Sequence, residues 1–309
     1  MNVDLFGNEV VNKARSMKDY FIVPPFSVLD TTSETWQRRK KRWLNITGDL
    51  SATKEAVLSG TDGEFGIDTK SVMAKMESSS NFDPVLAEVI YKWFNIPGGK
   101  VLDPFGGEQT KGVVCGELGY NYFGCEFRQA QVDYNNSICE KYGTVNYFCG
   151  DSNKIDEIIK ETDFDFCFTS PPYYDLEVYS KEDMSSLGTY KEFMLQYKNI
   201  FSKCFNLLKN NRFLCVKVAE IRDKKTGEYR NFVGDNISIF KEIGFKYYNE
   251  IILLNSTGTL PLRATNFMNT SRKIGKRHQN ILVFYKGDMS YIDKNFEDLM
   301  PKNNYYENV

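Results

Sequence analysis

Val101-Leu102-Asp103-Pro104-Phe105-Gly106-Gly107 and, further along, Thr169-Ser170-Pro171-Pro172-Tyr173 are the two stretches that organise this chain. In each, an apolar strand-like run stops at a polar residue, Asp103 in one and Ser170 in the other. After Asp103, a proline and two glycines lead into a helical pattern. Glycine lets the backbone come close to a ligand, and a helix N-terminus favours an anionic group. After Ser170, two consecutive prolines fix φ and remove two N–H donors, so the strand ends in a stiff turn whose carbonyls are free to accept.

Working outward from these turns, the pattern from residue 82 alternates helices with short apolar strands. Asp83 and Pro84 start a helix over 85–94, which Pro97-Gly98-Gly99 ends. Strands are expected at 100–103, 122–127, 145–149, 164–169 and 212–218, and helices at 109–118, 129–142, 191–208 and 233–243. Strands separated by helices of this length indicate βαβ units and a parallel sheet. The last two strands, 246–254 and 280–285, are joined by a segment without helical periodicity and are expected to pair as an antiparallel hairpin at one edge. Residues 1–80 read as an appendage, with a Gly- and Ser-rich linker over 58–80. Residues 81–290 read as the main domain and 291–309 as a tail.

The 309 residues fit one large α/β domain with an appendage, and 41% apolar and 15% aromatic content suffice for its core. A net charge of −2 carries no overall basic bias, so contact with a polyanion must come from local clusters. The seven cysteines include no CxxC pair and several lie inside apolar runs. They are expected to be reduced, buried small hydrophobes in a cytoplasmic protein. No apolar run approaches the about 20 residues of a membrane span. His278 is the sole histidine and stands apart from cysteine or carboxylate clusters, so no metal site is expected.

In open α/β sheets ligands bind beyond the carboxyl ends of the strands, where strand order reverses. Asp103, Glu126, Asp151 and Ser170 each close a strand. Glu126 stands where a ribose's hydroxyls would be held, about 20 positions after the glycine turn. Asp151, followed by Ser152, is placed to accept from an adenine amino group. Ser170 and the Pro171 carbonyl can accept the hydrogens of an amine, and Tyr173 offers a flat face to a base taken out of its stack.

Together and in this order, the two motifs resemble those of DNA amino-methyltransferases, which move a methyl group from S-adenosylmethionine to the exocyclic amine of adenine or cytosine. Asn81-Phe82-Asp83-Pro84-Val85 is similar to the family motif whose aromatic and proline help enclose the methionine end. His278-Gln279-Asn280-Ile281-Leu282-Val283-Phe284-Tyr285-Lys286 is similar to its closing edge strand. The resemblance covers residues 82–286. The run from Ser170 to Ser180, with Pro24-Pro25-Phe26-Ser27-Val28-Leu29-Asp30, resembles small methylases common in bacteriophages and mobile elements. One position departs from the pattern: the family turn reads DPFxGxG, and Gln109 replaces its last glycine.

The resemblance implies a Rossmann-like S-adenosylmethionine methyltransferase fold, α/β, with a mostly parallel seven-stranded sheet. It implies Phe82, Pro84, Asp103, Pro104, Phe105, Gly106, Gly107, Glu126, Asp151 and Ser152 around the cofactor, and Ser170, Pro171, Pro172 and Tyr173 around the reacting base. Ser in the first catalytic position is more usual for cytosine N4, whereas the motif order is shared with some adenine methylases. N4-cytosine is favoured, with N6-adenine as the alternative and an inactive DNA-binding regulator as a further one. Methylation at cytosine C5 needs a cysteine nucleophile, usually presented as Pro-Cys, and no Pro-Cys occurs.

Contacts to double-stranded DNA are expected from the segment 251–287, which has no Asp or Glu and carries Arg272, Lys273, Lys276 and Arg277. The run Trp36-Gln37-Arg38-Arg39-Lys40-Lys41-Arg42-Trp43 reads equally as a solvated helix face or a DNA-contacting arm.

Overall fold

The computed structural model describes residues 16–47, 82–174 and 188–300. Eight strands form one sheet: β1 (Val28–Asp30), β2 (Lys100–Asp103), β3 (Asn121–Glu126), β4 (Val145–Cys149), β5 (Phe164–Thr169), β6 (Leu208–Val218), β7 (Lys246–Leu254) and β8 (His278–Lys286). Their spatial order is β4-β3-β2-β5-β6-β8-β7-β1. Only β8 runs antiparallel to its neighbours, β6 and β7. This is the expected α/β architecture with a mostly parallel sheet.

The described helices that matter to the site are α1 (Met17–Phe21), α2 (Glu34–Thr47), α3 (Pro84–Phe94), α4 (Thr110–Glu117), α5 (Gln129–Cys139), α6 (Ile155–Ile158), α7 (Tyr190–Leu207), α8 (Phe232–Ile243) and α9 (Leu260–Ser271). They start where the sequence supplies caps. Asp83 accepts from the amides of Val85 (2.9 Å) and Leu86 (3.3 Å), with Pro84 in the first turn of α3. Thr189 and Glu192 make a reciprocal capping box at the start of α7.

Alternate strand residues face two cores. Val101, Phe166, Phe168, Phe213 and Cys215 pack with α3, α4 and the tryptophans of α2. Leu102, Cys167, Leu214 and Val216 pack with α7 and α8. Burial on both faces explains why these strands read as continuous apolar runs rather than alternating ones. All seven cysteines are free, and six are fully buried.

Three expectations are revised. The sheet has eight strands, not seven, because β1 pairs in parallel with β7. The antiparallel pair β7–β8 is present, but β8 lies inside the sheet and β1 covers the outer side of β7, so the pair is not itself the edge. The segment joining that pair contains α9. Pro261 opens this helix, yet none of its residues is buried, so it has no apolar stripe from which a helical period could be read.

The basic run of α2 is also resolved in part. Trp36 and Trp43 are buried against the main domain. Trp43 Nε1 donates to Glu88 (2.7 Å), Arg39 pairs with the same buried carboxylate through two nitrogens, and Lys40 pairs with Asp83 at 3.0 Å. This face of α2 docks onto α3. The linker over 58–80 and residues 301–309 of the tail lie outside the described residues.

Candidate active site at the strand switch

Strand order reverses between β2 and β5: β3 and β4 lie on one side of β2, β5 and β6 on the other. The two motifs end these adjacent strands, and a buried hydrogen bond joins them. Thr169 Oγ1 donates to Asp103 Oδ1 at 2.6 Å. Asp103 is fully buried and also accepts from Tyr122 Oη (2.7 Å) and the Phe105 amide (3.1 Å), and it pairs with the Lys111 ammonium. Lys111 in turn donates to the Phe105 carbonyl at 2.9 Å. Asp103 therefore anchors the turn from beneath, its carboxylate occupied by the protein's own donors.

The turn itself is held from several sides. The Gly106 amide donates to the Cys125 carbonyl (2.7 Å), the Gly107 amide to Glu126 (3.2 Å), and Asn135 Nδ2 to the Gly107 carbonyl (2.8 Å). Gly107 has φ +61°, a left-handed conformation, and a Cβ there would meet no atom nearer than the Phe105 carbonyl at 4.0 Å. The open side of the turn is thus a shallow cradle of backbone beside the Glu126 carboxylate. Gln109 has ordinary helical angles, φ −66° and ψ −14°, so the last glycine of the family turn is not required here for backbone reasons. Its side chain is fully buried.

Phe82 is connected to the turn through Glu108, whose carboxylate accepts from the Phe82 amide (2.8 Å) and the Thr110 amide (2.8 Å). Burial pushes the Glu108 carboxyl above its usual range, against the lowering effect of those hydrogen bonds. The Phe82 ring stands edge-on to Phe168 (5.5 Å) with the Lys111 and Lys217 ammonium groups 5.4 and 5.0 Å from its centre. Pro84 and Pro104 are buried, and the Phe105 ring packs on Phe201. At the end of β4, Asp151 is exposed and caps the next turn through Asn153, while Ser152 Oγ donates to the Pro104 carbonyl.

Beyond β5, Ser170 is half-buried and Pro171, Pro172 and Tyr173 are buried. Ser170 Oγ and Tyr173 Oη both lie 3.5 Å from the Lys217 carbonyl on β6, and Gln279 Nε2 lies 3.4 Å from Tyr173 Oη. The Tyr173 ring is only 8% exposed and meets Phe232 edge-on. It is a wall of the site in this structure, not the open stacking face read from the sequence. Tyr174 is buried against Tyr190 and Phe193, and Asp175 to Ser180 lie outside the described residues.

The acid-free segment brings its basic residues together beyond α9. Arg272, Lys273 and Arg277 are exposed, and Lys276 is half-buried. Arg277 donates to the Asn255 carbonyl (3.1 Å), which ties this stretch to the end of β7. Lys111, Asn135, Thr169, Glu108, Lys217 and Gln279 were not singled out in the sequence. Their roles come from contacts between distant segments, for which a single sequence carries no signal. Among the described residues no cluster of three His, Cys, Asp or Glu could hold a metal ion, and no helix is long and apolar enough to cross a membrane.

S-adenosylmethionine fits these residues. The open backbone cradle at Gly107 leaves room for a ligand beside Glu126, whose carboxylate accepts from the Gly107 amide and from Arg128, and Asp151 is exposed.

Residues 164–308 match a family model described as DNA methylase, of the N6/N4 type. No curated protein sequence matches the chain. Among solved structures it is similar to a methyltransferase from Pyrococcus furiosus, at 15% identity and TM-score 0.46 over 75% of this chain and 92% of that one. It is similar to a TehB-like SAM-dependent methyltransferase from Corynebacterium glutamicum, at 15% identity and TM-score 0.43 over 70% and 95%. A third is TrmN from Thermus thermophilus, at 14% identity and TM-score 0.44, of which this chain spans about half: 66% of this chain covers 49% of that one.

Proposed function

We propose that this chain, whose residues 164–308 match the DNA methylase family model of the N6/N4 type, transfers a methyl group from S-adenosylmethionine to N4 of a cytosine turned out of double-stranded DNA. When bound, S-adenosylmethionine supplies a methyl group on a sulfonium. The protein's task is alignment, because an amine attacking that methyl in line with the sulfur–methyl bond needs no covalent enzyme intermediate. Glu126 would hold the ribose hydroxyls, the close backbone of the Gly106–Gly107 turn would pack on the methionine end, and Asp151 would hold the adenine amine. Phe82 and Pro84 would close the methionine side.

Ser170 and the Pro171 carbonyl would accept the hydrogens of the cytosine amine. Acceptors there leave the nitrogen's lone pair directed at the methyl group. Tyr173 and Phe232 would wall the pocket that receives the base. The observation that carries this reading is the Thr169–Asp103 hydrogen bond, which sets Ser170 next to the cofactor turn across the strand switch. Gln109 does not stand against activity, since the turn keeps its bonds to Cys125, Glu126 and Asn135 with glutamine in place.

The test is single-turnover methylation of duplex DNA with a readout that separates N4-methylcytosine from N6-methyladenine. N4-methylcytosine is expected, with Ser170→Ala slowing transfer while cofactor affinity holds. N6-methyladenine alone would replace the base assignment with adenine. S-adenosylmethionine bound without any methylated base would favour the inactive DNA-binding scaffold.

A further inference from the structure

A second basic element faces the acid-free segment, and nothing in its own sequence marks it. The chain leaving β6 folds back over residues 221–230 as a small hairpin, bridged between Arg222 and Tyr229. Its tip is stiff. The Asp223 amide donates to the Glu228 carbonyl (2.9 Å), the Gly227 amide to the Asp223 carbonyl (2.9 Å), and the Asp223 carboxylate accepts from the amides of Lys225 and Thr226. Arg230 pairs with Asp223 at 2.6 Å, which accounts for that acid.

The hairpin presents Arg222 and Tyr229 as a stacked pair. The guanidinium carbon lies 3.8 Å from the ring centre, and Arg222 Nη1 donates to the Gly227 carbonyl (2.8 Å), so the stack is fixed from both ends. Lys276, from the segment after α9, brings its ammonium to 5.9 Å from the same ring. The Lys273 ammonium lies 3.2 Å from where a Cβ on Gly227 would stand. Two cations thus face one tyrosine that remains 48% exposed, and a third stands at the Gly227 turn of the same hairpin.

This convergence has an electrostatic cost. Burial and the neighbouring Arg222 both disfavour the charged form of Lys276, and Glu220 is the acid that opposes them. The Glu220 carboxylate already accepts from the amides of Phe232 (2.8 Å) and Ile221 (3.1 Å), where it caps α8. An anion bound at the exposed side would remove the repulsion. Both limbs of the cluster are also close along the chain to residues that touch the Ser170–Tyr173 turn. Arg222 follows closely on Lys217, whose carbonyl faces Ser170 and Tyr173, and Lys276 shortly precedes Gln279, which reaches Tyr173 Oη.

Resting on the reading of this chain as a DNA methylase, we infer that Arg222, Tyr229, Lys273 and Lys276 form a clamp for the phosphodiester backbone of the target strand beside the extruded base. The cations take the phosphate oxygens, and the exposed edge of Tyr229 packs on the adjoining sugar. Phosphate contacts fix register without reading sequence, which suits a site placed next to the reacting base.

The experiment measures binding of the full chain to one fluorescent DNA duplex across a potassium chloride series, together with methylation of that duplex. Each lost phosphate contact lowers the log–log salt slope by about 0.9, so Arg222→Gln with Lys276→Gln should lower it by about 1.8. Arg222→Lys keeps the charge and should keep the slope while weakening binding through the lost stack. Tyr229→Ala should weaken binding at constant slope. Lys246→Gln, at the opposite end of β7, should change neither, and S-adenosylmethionine affinity should hold in every variant.

A double variant that melts at the wild-type temperature yet keeps the wild-type slope overturns the clamp while leaving DNA methylation standing. Tighter binding to an RNA duplex of the same sequence also overturns it. Wild-type protein that neither binds nor methylates DNA overturns the functional reading, and the clamp with it.

Discussion

Replacing Asp103 by asparagine tests whether that residue anchors the turn or touches the cofactor. The side chain keeps its size and one acceptor oxygen, but its charge is gone. Lys111 is left only 4% exposed with no carboxylate beside it, and Tyr122 and Thr169 lose a charged acceptor. Removing one partner of a buried pair costs about 3–5 kcal/mol. A domain is stable by about 5–15 kcal/mol, so urea unfolding should show the loss of a large part of the total. Lys111→Met should cost less, because the Asp103 carboxylate keeps donors from Thr169, Tyr122 and the Phe105 amide. In the double variant no charge is buried, and the combined cost should fall short of the sum by about 0.5–3 kcal/mol. S-adenosylmethionine affinity should fall in Asp103→Asn and recover with stability in the double variant. Additive costs would refute the buried pair. Recovered stability without recovered affinity would refute the anchor and make Asp103 a direct cofactor contact.

Gly107→Ala should cost about 1–2 kcal/mol in cofactor binding or stability, because φ is +61° while space for the Cβ is open; Gly107→Asn should cost less, which calorimetric titration would show. Glu88→Gln should destabilise the protein by about 3 kcal/mol in urea unfolding, at the low end for a buried pair because Arg39 keeps 25% of its side chain exposed. Glu108 binds its proton more tightly when folded than when unfolded, so stability should decline as pH rises from its ordinary 4.5 through the raised folded value. In Glu108→Gln that part of the decline should vanish from a series of melts across pH; an unchanged profile would show the carboxyl is not desolvated.

How much of this was legible in the sequence follows from what buries what. β5 is buried at every position, so its Phe and Cys residues read as a buried strand despite Asp165, and Thr189 with Glu192 announces α7 by local chemistry alone. β1 has three residues and a single buried one, too little pattern to separate from a loop. It exists because β7 offers an open edge, a fact of tertiary structure. α9 has propensity but no buried face. In the proposed site, Glu126 and Asp151 could be nominated from the sequence because ligands gather at strand ends. Lys111 and Asn135 could not, since each acts on the turn from another element. The 221–230 hairpin was hidden differently: Asp223 and Glu228 dilute its charge in sequence, and only the fold shows Asp223 taken up by Arg230.

The Thr169–Asp103 bond gives the two motifs a shared mechanical base. The two turns follow adjacent parallel strands, and their spacing would otherwise depend on the two ladder positions where β2 meets β5, Val101 with Phe166 and Leu102 with Cys167. The hydroxyl–carboxylate bond joins the two strands by side chains just beyond the last backbone pair, from Thr169 two residues past Cys167 to Asp103 one residue past Leu102. Ser152 bonding to the Pro104 carbonyl extends the tie to β4, and the Lys217 carbonyl facing Ser170 extends it to β6. In-line transfer between two bound molecules depends on sub-ångström placement. Here that placement would be carried by strand ends cross-braced through buried polar groups, while the residues proposed to face DNA stand on the hairpin and loop outside the brace.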